Sequence, residues 1–74
     1  MDKNHRALRQ RLQKMPPKQA VAYVLEFDLP PQEAFCIVEC DIKKRSCVEV
    51  GQRLFVSPET VKRRRRSGYA KITM

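Results

Sequence analysis

The chain has 74 residues, of which 42% are hydrophobic, and its 16 lysine and arginine residues against 8 acidic ones give a formal net charge of +8. This length excludes a second hydrophobic core and this hydrophobic fraction excludes a disordered chain, while rare glycine and the lack of alternating strand-like runs predict one all-α domain of four to five helices over residues 1–74. No apolar run approaches the roughly 18 residues of a membrane span and no apolar signal segment opens the chain, so we expect a cytoplasmic protein without a membrane partner.

The first predicted helix covers residues 3–14 and is sparsely apolar. Its Leu8 and Leu12 lie one helical turn apart and can dock one edge on a core. The rest of the segment is polar and basic, and we expect the N-terminal helix, residues 1–14, to be weakly held and to fray at its start.

Two similar segments then predict two further helices. MPPKQAVAYV and LPPQEAFCIV each combine an apolar residue, two prolines, two polar residues and an apolar run. The second proline suits the first turn of a helix, where its missing N–H is not needed. The helix after Pro17 is apolar almost all round and is predicted to be central. The helix after Pro31 is predicted to be buried on a wide face, with Glu33, Glu39 and Asp41 as surface acids.

The three cysteines give little sign of chemistry. Cys36, Cys40 and Cys47 are an odd number without a C-x-x-C pair, and the only histidine, His5, is remote. We interpret them as reduced core thiols, since a structural zinc site needs four ligands. No metal, cofactor, small-molecule substrate or catalytic residue is predicted, because no nucleophile has a general base near it.

The last two helices carry the densest local signals. Ser46 with Glu49 three residues later forms a capping box. Ser57, Pro58 and Glu59 read as N-cap, first-turn proline and first-turn acid, so a helix is predicted from about Pro58 to Ile72.

The two helices are three residues apart, which is the spacing of a helix-turn-helix over residues 46–72. Gly51 stands where the two helices must approach most closely. A small core between them is predicted from Val50, Leu54, Val56 and Val61. This C-terminal half is also the more basic one: residues 38–74 contain ten basic and four acidic groups, against six and four in residues 1–37. Such a field attracts polyanions, above all nucleic acid.

These motifs resemble region four of bacterial sigma factors and, less specifically, the output domains of response regulators. The resemblance covers about residues 29–72 and rests on LPP-x-E, S-x-x-E-V, L-x-V-S-P-E-T-V-K-R and the final AKI. It implies a recognition helix in the major groove, with DNA contacts from Ser57, Glu59, Thr60, Lys62, Arg63 and Arg66. Additional phosphate contacts are expected from Lys43, Lys44, Arg45, Arg53 and Lys71.

The sequence departs from the family pattern at three places. Phe55 stands where the family has a turn glycine, and Gly51 where it has alanine. Arg64 and Arg65 occupy the positions where an apolar residue normally follows Val61 by one turn. Five consecutive cations cover the whole circumference of a helix, so we expect one arginine stem to pack over the core edge and pair with Glu39 or Asp41.

The predicted function is sequence-specific double-stranded DNA binding in transcription regulation. The alternative is a protein-interaction module that docks on RNA polymerase or forms a homodimer through helix 3–14 and Phe55. A third hypothesis, single-strand or RNA binding, needs exposed aromatic residues. Most aromatics are expected in the core, and only Phe55 and Tyr69 qualify.

Overall fold

The computed structural model describes residues 3–73, and all its regular elements are helical. The elements are α1 (Lys3–Lys14), α2 (Pro17–Leu25), α3 (Pro31–Ile37), a π-helical turn (Val38–Ile42), α4 (Cys47–Leu54) and α5 (Pro58–Ile72). The predicted all-α class with four to five helices is confirmed for this part of the chain, which contains no strand. The fraying expected at the start of α1 falls partly on residues 1–2, which lie outside the described residues.

Both proline pairs begin helices in the predicted way. Pro16 and Pro30 stand just before α2 and α3 in extended conformations, with ψ of 143° and 141°. Their carbonyl oxygens accept the first helical hydrogen bonds, from the Ala20 and Ala34 amides at 2.9 and 3.1 Å. The proline at the first helical position has no N–H that would need a partner, and neither helix has a side-chain cap.

The main hydrophobic core joins both ends of the chain. Leu8 and Leu12 of α1 are 3% and 1% exposed, and they meet Tyr69 and Ile72 of α5 in one cluster. The α2 and α3 helices close this cluster with the buried residues Ala20, Val24, Leu29, Ala34 and Ile37. The first and last helices are therefore parts of one packed unit.

The α2 helix is not central, and that prediction was wrong. Only Ala20 and Val24 of this helix are buried, whereas Leu25 is 60% exposed and Phe27, just beyond its end, is 37% exposed. A helix of nine residues at the edge of a small domain contacts the rest through one face. Val21 and Tyr23 are half-buried, while Ala22 and Leu25 stay exposed because the domain has no further layer to cover them.

The prediction of surface acids was wrong for two of three residues. Glu39 and Asp41 are 3% and 1% exposed, while Glu33 is half-buried. Both buried acids lie in the π-helical turn, where the Lys43 amide donates to the Val38 carbonyl five residues back at 3.0 Å. Their burial is tolerated because Asp41 is paired with two cations and Glu39 with three, as described below.

A smaller second core lies between α4 and α5, so the expectation that the chain is too short for a second hydrophobic core was wrong. Its fully buried members are Val50, Val61 and Cys36, with the predicted Leu54 and Val56 packed against them. A Cβ built on Gly51 would meet the Val56 carbonyl oxygen at 2.6 Å. The predicted need for a small residue at this close approach is confirmed.

No helix among the described residues is both long and apolar enough to cross a membrane.

Candidate nucleic-acid interface

The N-terminus of α5 is built by its own local sequence. The Ser57 hydroxyl oxygen accepts a hydrogen bond from the Thr60 amide at 3.2 Å, and the Ser57 and Thr60 hydroxyl groups lie 3.0 Å apart. Pro58 occupies the first turn and Glu59 adds the acid that the helix dipole favours. The predicted helix Pro58–Ile72 is confirmed with these bounds.

The connection before α5 is unusual in its backbone. Phe55 ends α4 in the left-handed conformation, with φ of 60° and ψ of 42°, and its side chain is 94% exposed. The Val56 amide donates to the Gly51 carbonyl at 2.9 Å and closes the turn. A bulky residue in this conformation costs roughly 1 kcal/mol or more, yet Phe55 keeps the positive φ. The expectation that most aromatic residues lie in the core is met in part: Tyr69 is buried, Tyr23 and Phe35 are half-buried against the two cores, and Phe27 and Phe55 are exposed.

The basic run divides into two groups around α5. Lys62, Arg63 and Arg66 are exposed, whereas Arg64 and Arg65 are partly buried. Glu59 shares the exposed face, because it lies one turn before Lys62 and Arg63. The helix therefore presents three cations to solvent and turns two towards the protein.

Arg65 is held inside the domain by Asp41 and Tyr69. Its Nη2 lies 2.8 Å from Asp41 Oδ1, and its Nε donates to the Tyr69 hydroxyl at 3.1 Å. The Tyr69 hydroxyl donates to the other carboxylate oxygen of Asp41. Arg9 of α1 approaches Asp41 Oδ1 at 3.4 Å. The predicted pairing of a buried arginine stem with an acid of the preceding segment is confirmed for Arg65 and Asp41.

This cluster shifts two pKa values. Burial, with the Asp41 charge added, raises the pKa of Tyr69 above its ordinary value. Burial alone would lower the pKa of Arg65, but the Asp41 charge and the Tyr69 hydroxyl outweigh it and raise that pKa. Tyr69 therefore stays a hydrogen-bond donor and Arg65 stays a cation.

Four of the five cations predicted as additional phosphate contacts are paired with acids. Glu39 has Arg45, Arg53 and Lys43 around it, at 3.3, 3.5 and 3.7 Å. Lys71 lies 3.0 Å from Glu33. The fifth, Lys44, forms no ion pair within residues 3–73 and has φ of 60°. These four cations are thus engaged in ion pairs within the protein, although three of them share the single carboxylate of Glu39.

A cleft between α1 and α5 collects cations that the sequence did not bring together. It has a volume of about 240 Å³ and is lined by His5, Arg9, Lys62, Arg65, Arg66 and Tyr69. Arg9 and His5 were not predicted as site residues. The sequence indicated their position only indirectly: His5 and Arg9 are one helical turn apart, beside Leu8 on the apolar stripe of α1.

The thiols form no cation site in the described part of the chain. Cys36, Cys40 and Cys47 are free, and no group of three or more histidine, cysteine or acidic side chains in residues 3–73 could hold a metal ion. Burial raises the pKa of Cys40 to about 12. His5 is buried, with its ring centroid 5.4 Å from that of Tyr69, so it serves as a packing residue in α1.

No protein-family model, no curated protein and no solved structure matches this chain.

Proposed function

We propose that this protein is a sequence-specific double-stranded DNA-binding regulator of transcription, in which α4 and α5 act as a helix-turn-helix. The observation that carries the proposal is the exposed face of α5, where Lys62, Arg63 and Arg66 form no ion pair within residues 3–73. Unpaired cations on one rigid helix attract a polyanion, and a rigid helix can hold base-reading side chains in register.

The dimensions of α5 suit a major groove. Fifteen residues give a helix of about 22 Å, and a helix about 10–12 Å across fits a groove about 12 Å wide. Its N-terminal half carries Glu59 and Arg63, the residue types that accept from cytosine and donate to guanine. The resemblance to sigma-factor region four suggests the same docking mode and makes RNA polymerase a candidate partner.

The first test compares two exposed lysines. Lys62→Gln is expected to weaken duplex binding and to reduce the slope of log K against log salt by about 0.9 if Lys62 contacts one phosphate. Lys18→Gln removes the same charge from α2 and is the matched control, with wild-type affinity and slope expected. Equal effects of both substitutions would indicate non-specific attraction and contradict the proposal.

Sequence reading is tested by selecting bound duplexes from a random pool. A base contact from Arg63 predicts that Arg63→Ala relaxes specificity at one position, by about 1–3 kcal/mol of discrimination. A phosphate contact from Arg66 predicts that Arg66→Ala weakens all duplexes alike. A pool that shows no enriched sequence for the wild-type protein would refute sequence-specific binding.

A second candidate function, docking on another protein, is favoured by exposed apolar side chains. Phe55 is 94% exposed and Leu25 is 60% exposed, and the latter borders an apolar groove between α2 and α3. This function would be favoured if the protein binds RNA polymerase, if Phe55→Ala loses that binding, and if the affinity for DNA does not change with salt concentration. Single-strand binding has less support, because Tyr69 is buried and only Phe55 of the two aromatic candidates is exposed.

A further inference from the structure

The cleft between α1 and α5 has an unusual balance of charge. Four of its six lining residues are cations and none is acidic. Asp41 lies behind the lining, where it contacts Arg9, Arg65 and Tyr69. One carboxylate therefore faces two of the cations, and the cleft keeps a surplus of positive charge.

The surplus comes from Lys62 and Arg66. These two side chains lie one turn apart on α5, are exposed and form no ion pair within residues 3–73. The hydrogen bonds of Arg65 to Asp41 and Tyr69 hold the inner wall of the cleft in place. The wall is thus fixed from inside, while the two outer cations are free to bind an anion.

The size of the cleft limits what it can hold. About 240 Å³ is below the roughly 300–1,000 Å³ of pockets that enclose whole small molecules. It suffices for one phosphate group with bridging waters, each of which takes about 30 Å³. Arginine and lysine are the side chains that bind phosphate oxygens most effectively.

We propose that this cleft binds one phosphate of the DNA backbone, so that α1 takes part in DNA binding together with α5. This inference rests on the proposed function. With α5 in a major groove, the sugar-phosphate walls of the groove lie along both flanks of the helix, and Lys62 and Arg66 occupy the flank that faces α1. Arg9 then reaches the same phosphate from the neighbouring helix.

The test uses the best duplex from the random pool, with each backbone phosphate replaced in turn by a neutral methylphosphonate. The wild-type protein is expected to lose roughly tenfold in affinity at the phosphate that enters the cleft. Arg9→Gln is expected to lose a similar factor on the unmodified duplex and nothing further when that same phosphate is neutral. Arg9→Lys, which keeps the charge, should retain most of the affinity.

The matched control is Arg6→Gln, which removes an exposed arginine from α1 outside the cleft. It should keep both the wild-type affinity and the wild-type pattern of methylphosphonate sensitivity. If Arg9→Gln behaves like Arg6→Gln while remaining folded, the proposal is overturned. Should Arg9→Gln fail to fold, the NMR resonances of the Arg9 side-chain nitrogens in the wild-type protein serve instead. They must shift when the unmodified duplex is added, but not when the duplex with the neutral methylphosphonate is added.

A free anion is distinguished by titrating inorganic phosphate into the protein without DNA. We expect weak binding, because a single phosphate lacks the other contacts of the duplex. If inorganic phosphate binds tightly in the cleft and Arg9→Gln binds DNA like the wild type, the cleft binds a free anion and the proposed contact with the DNA backbone is overturned. If the wild-type protein binds no duplex at all, the proposed function fails first, and the backbone assignment falls with it.

Discussion

Asp41 links three separate parts of the chain through its carboxylate. It lies in the π-helical turn and contacts Arg65 and Tyr69 of α5 and Arg9 of α1. Taking such charges out of water is costly, and the mutual attraction compensates only while all partners remain. Removing one partner leaves a buried carboxylate that is incompletely paired.

We therefore expect Arg65→Leu to destabilise the protein by about 3 kcal/mol, although leucine is an apolar residue with good helix propensity. The double variant Asp41→Leu/Arg65→Leu should recover part of that loss, because the buried carboxylate is removed together with its arginine, although Arg9 and Tyr69 lose their contact with Asp41. Urea unfolding of the single and double variants measures both effects, with Arg64→Leu as a control outside the cluster. An Arg65→Leu protein as stable as the wild type would show that Asp41 does not need this arginine.

The raised pKa of Cys40 makes stability depend on alkaline pH. Burial raises this pKa from 9.0 to about 12, although the Arg65 charge opposes the shift. Between these values the unfolded chain releases the thiol proton and the folded chain keeps it, so the contribution is complete below pH 9 and is lost as pH rises towards 12. The raised pKa of Tyr69 acts in the same direction.

The free energy of unfolding should accordingly fall as pH rises above 9. The free energy of unfolding of the Cys40→Ala protein should fall less steeply with pH. The two slopes should differ by at most about 1.4 kcal/mol per pH unit, which is the limit for one proton. Denaturant unfolding from pH 8 to 11 in the presence of a reductant tests this. Parallel curves for the two proteins would contradict a shifted Cys40.

At the scale of elements, the two glycines offer a comparison of close approaches. A Cβ on Gly51 of α4 would meet the Val56 carbonyl oxygen at 2.6 Å, whereas one on Gly68 of α5 would meet the end of the Ile37 side chain at 2.6 Å. A backbone oxygen in a closed turn has little freedom to move, but a terminal methyl group can rotate away. Alanine also gains about 1 kcal/mol over glycine within a helix.

We expect Gly51→Ala to destabilise the protein by about 1–2 kcal/mol, since overpacking costs about 1–3 kcal/mol and exceeds the gain in helix propensity. Gly68→Ala should cost less than Gly51→Ala. Chemical denaturation of both variants decides the order. A Gly51→Ala protein more stable than the wild type would mean that the α4–α5 connection can move away from the new Cβ without losing stability.

The sequence predicted those elements whose signals are local. The Ser46 and Ser57 caps, the proline starts and the bounds of α5 depend on neighbours within one helical turn, and all are present. The position of α2 could not be predicted in this way. Whether an apolar helix is central depends on how many other elements are available to cover it, and composition of the helix alone does not state that number.

At the scale of the whole molecule, the candidate site also could be predicted only where its signals are local in the sequence. The division of the basic run followed from helix geometry. The missing apolar residue predicted that one arginine would pair with Glu39 or Asp41, and the fold decides that the pair is Arg65 with Asp41. The α1–α5 cleft did not, because His5 and Arg9 come next to α5 only once the core is formed by Leu8 and Leu12. The burial of Glu39 was not predicted either: Lys43 and Arg45 are its neighbours along the chain, but Arg53 reaches it from α4 only in the folded domain.

This dependence on α1 leads to a prediction for the domain as a unit. Leu8 and Leu12 are 3% and 1% exposed in the main core, and removing a buried leucine side chain typically costs 2–5 kcal/mol. Deletion of residues 1–14 removes both, a loss comparable to the whole stability of about 5–15 kcal/mol expected for a small domain. We therefore expect the shortened chain to show no cooperative unfolding transition when near-ultraviolet circular dichroism is followed during heating. A matched pair of point variants tests the same idea in the full chain: Leu12→Ala, at a buried position, should lower the melting temperature, whereas Gln13→Ala, at the exposed neighbour, should not. A shortened chain that melts cooperatively at the wild-type temperature would show that α1 is dispensable for the fold.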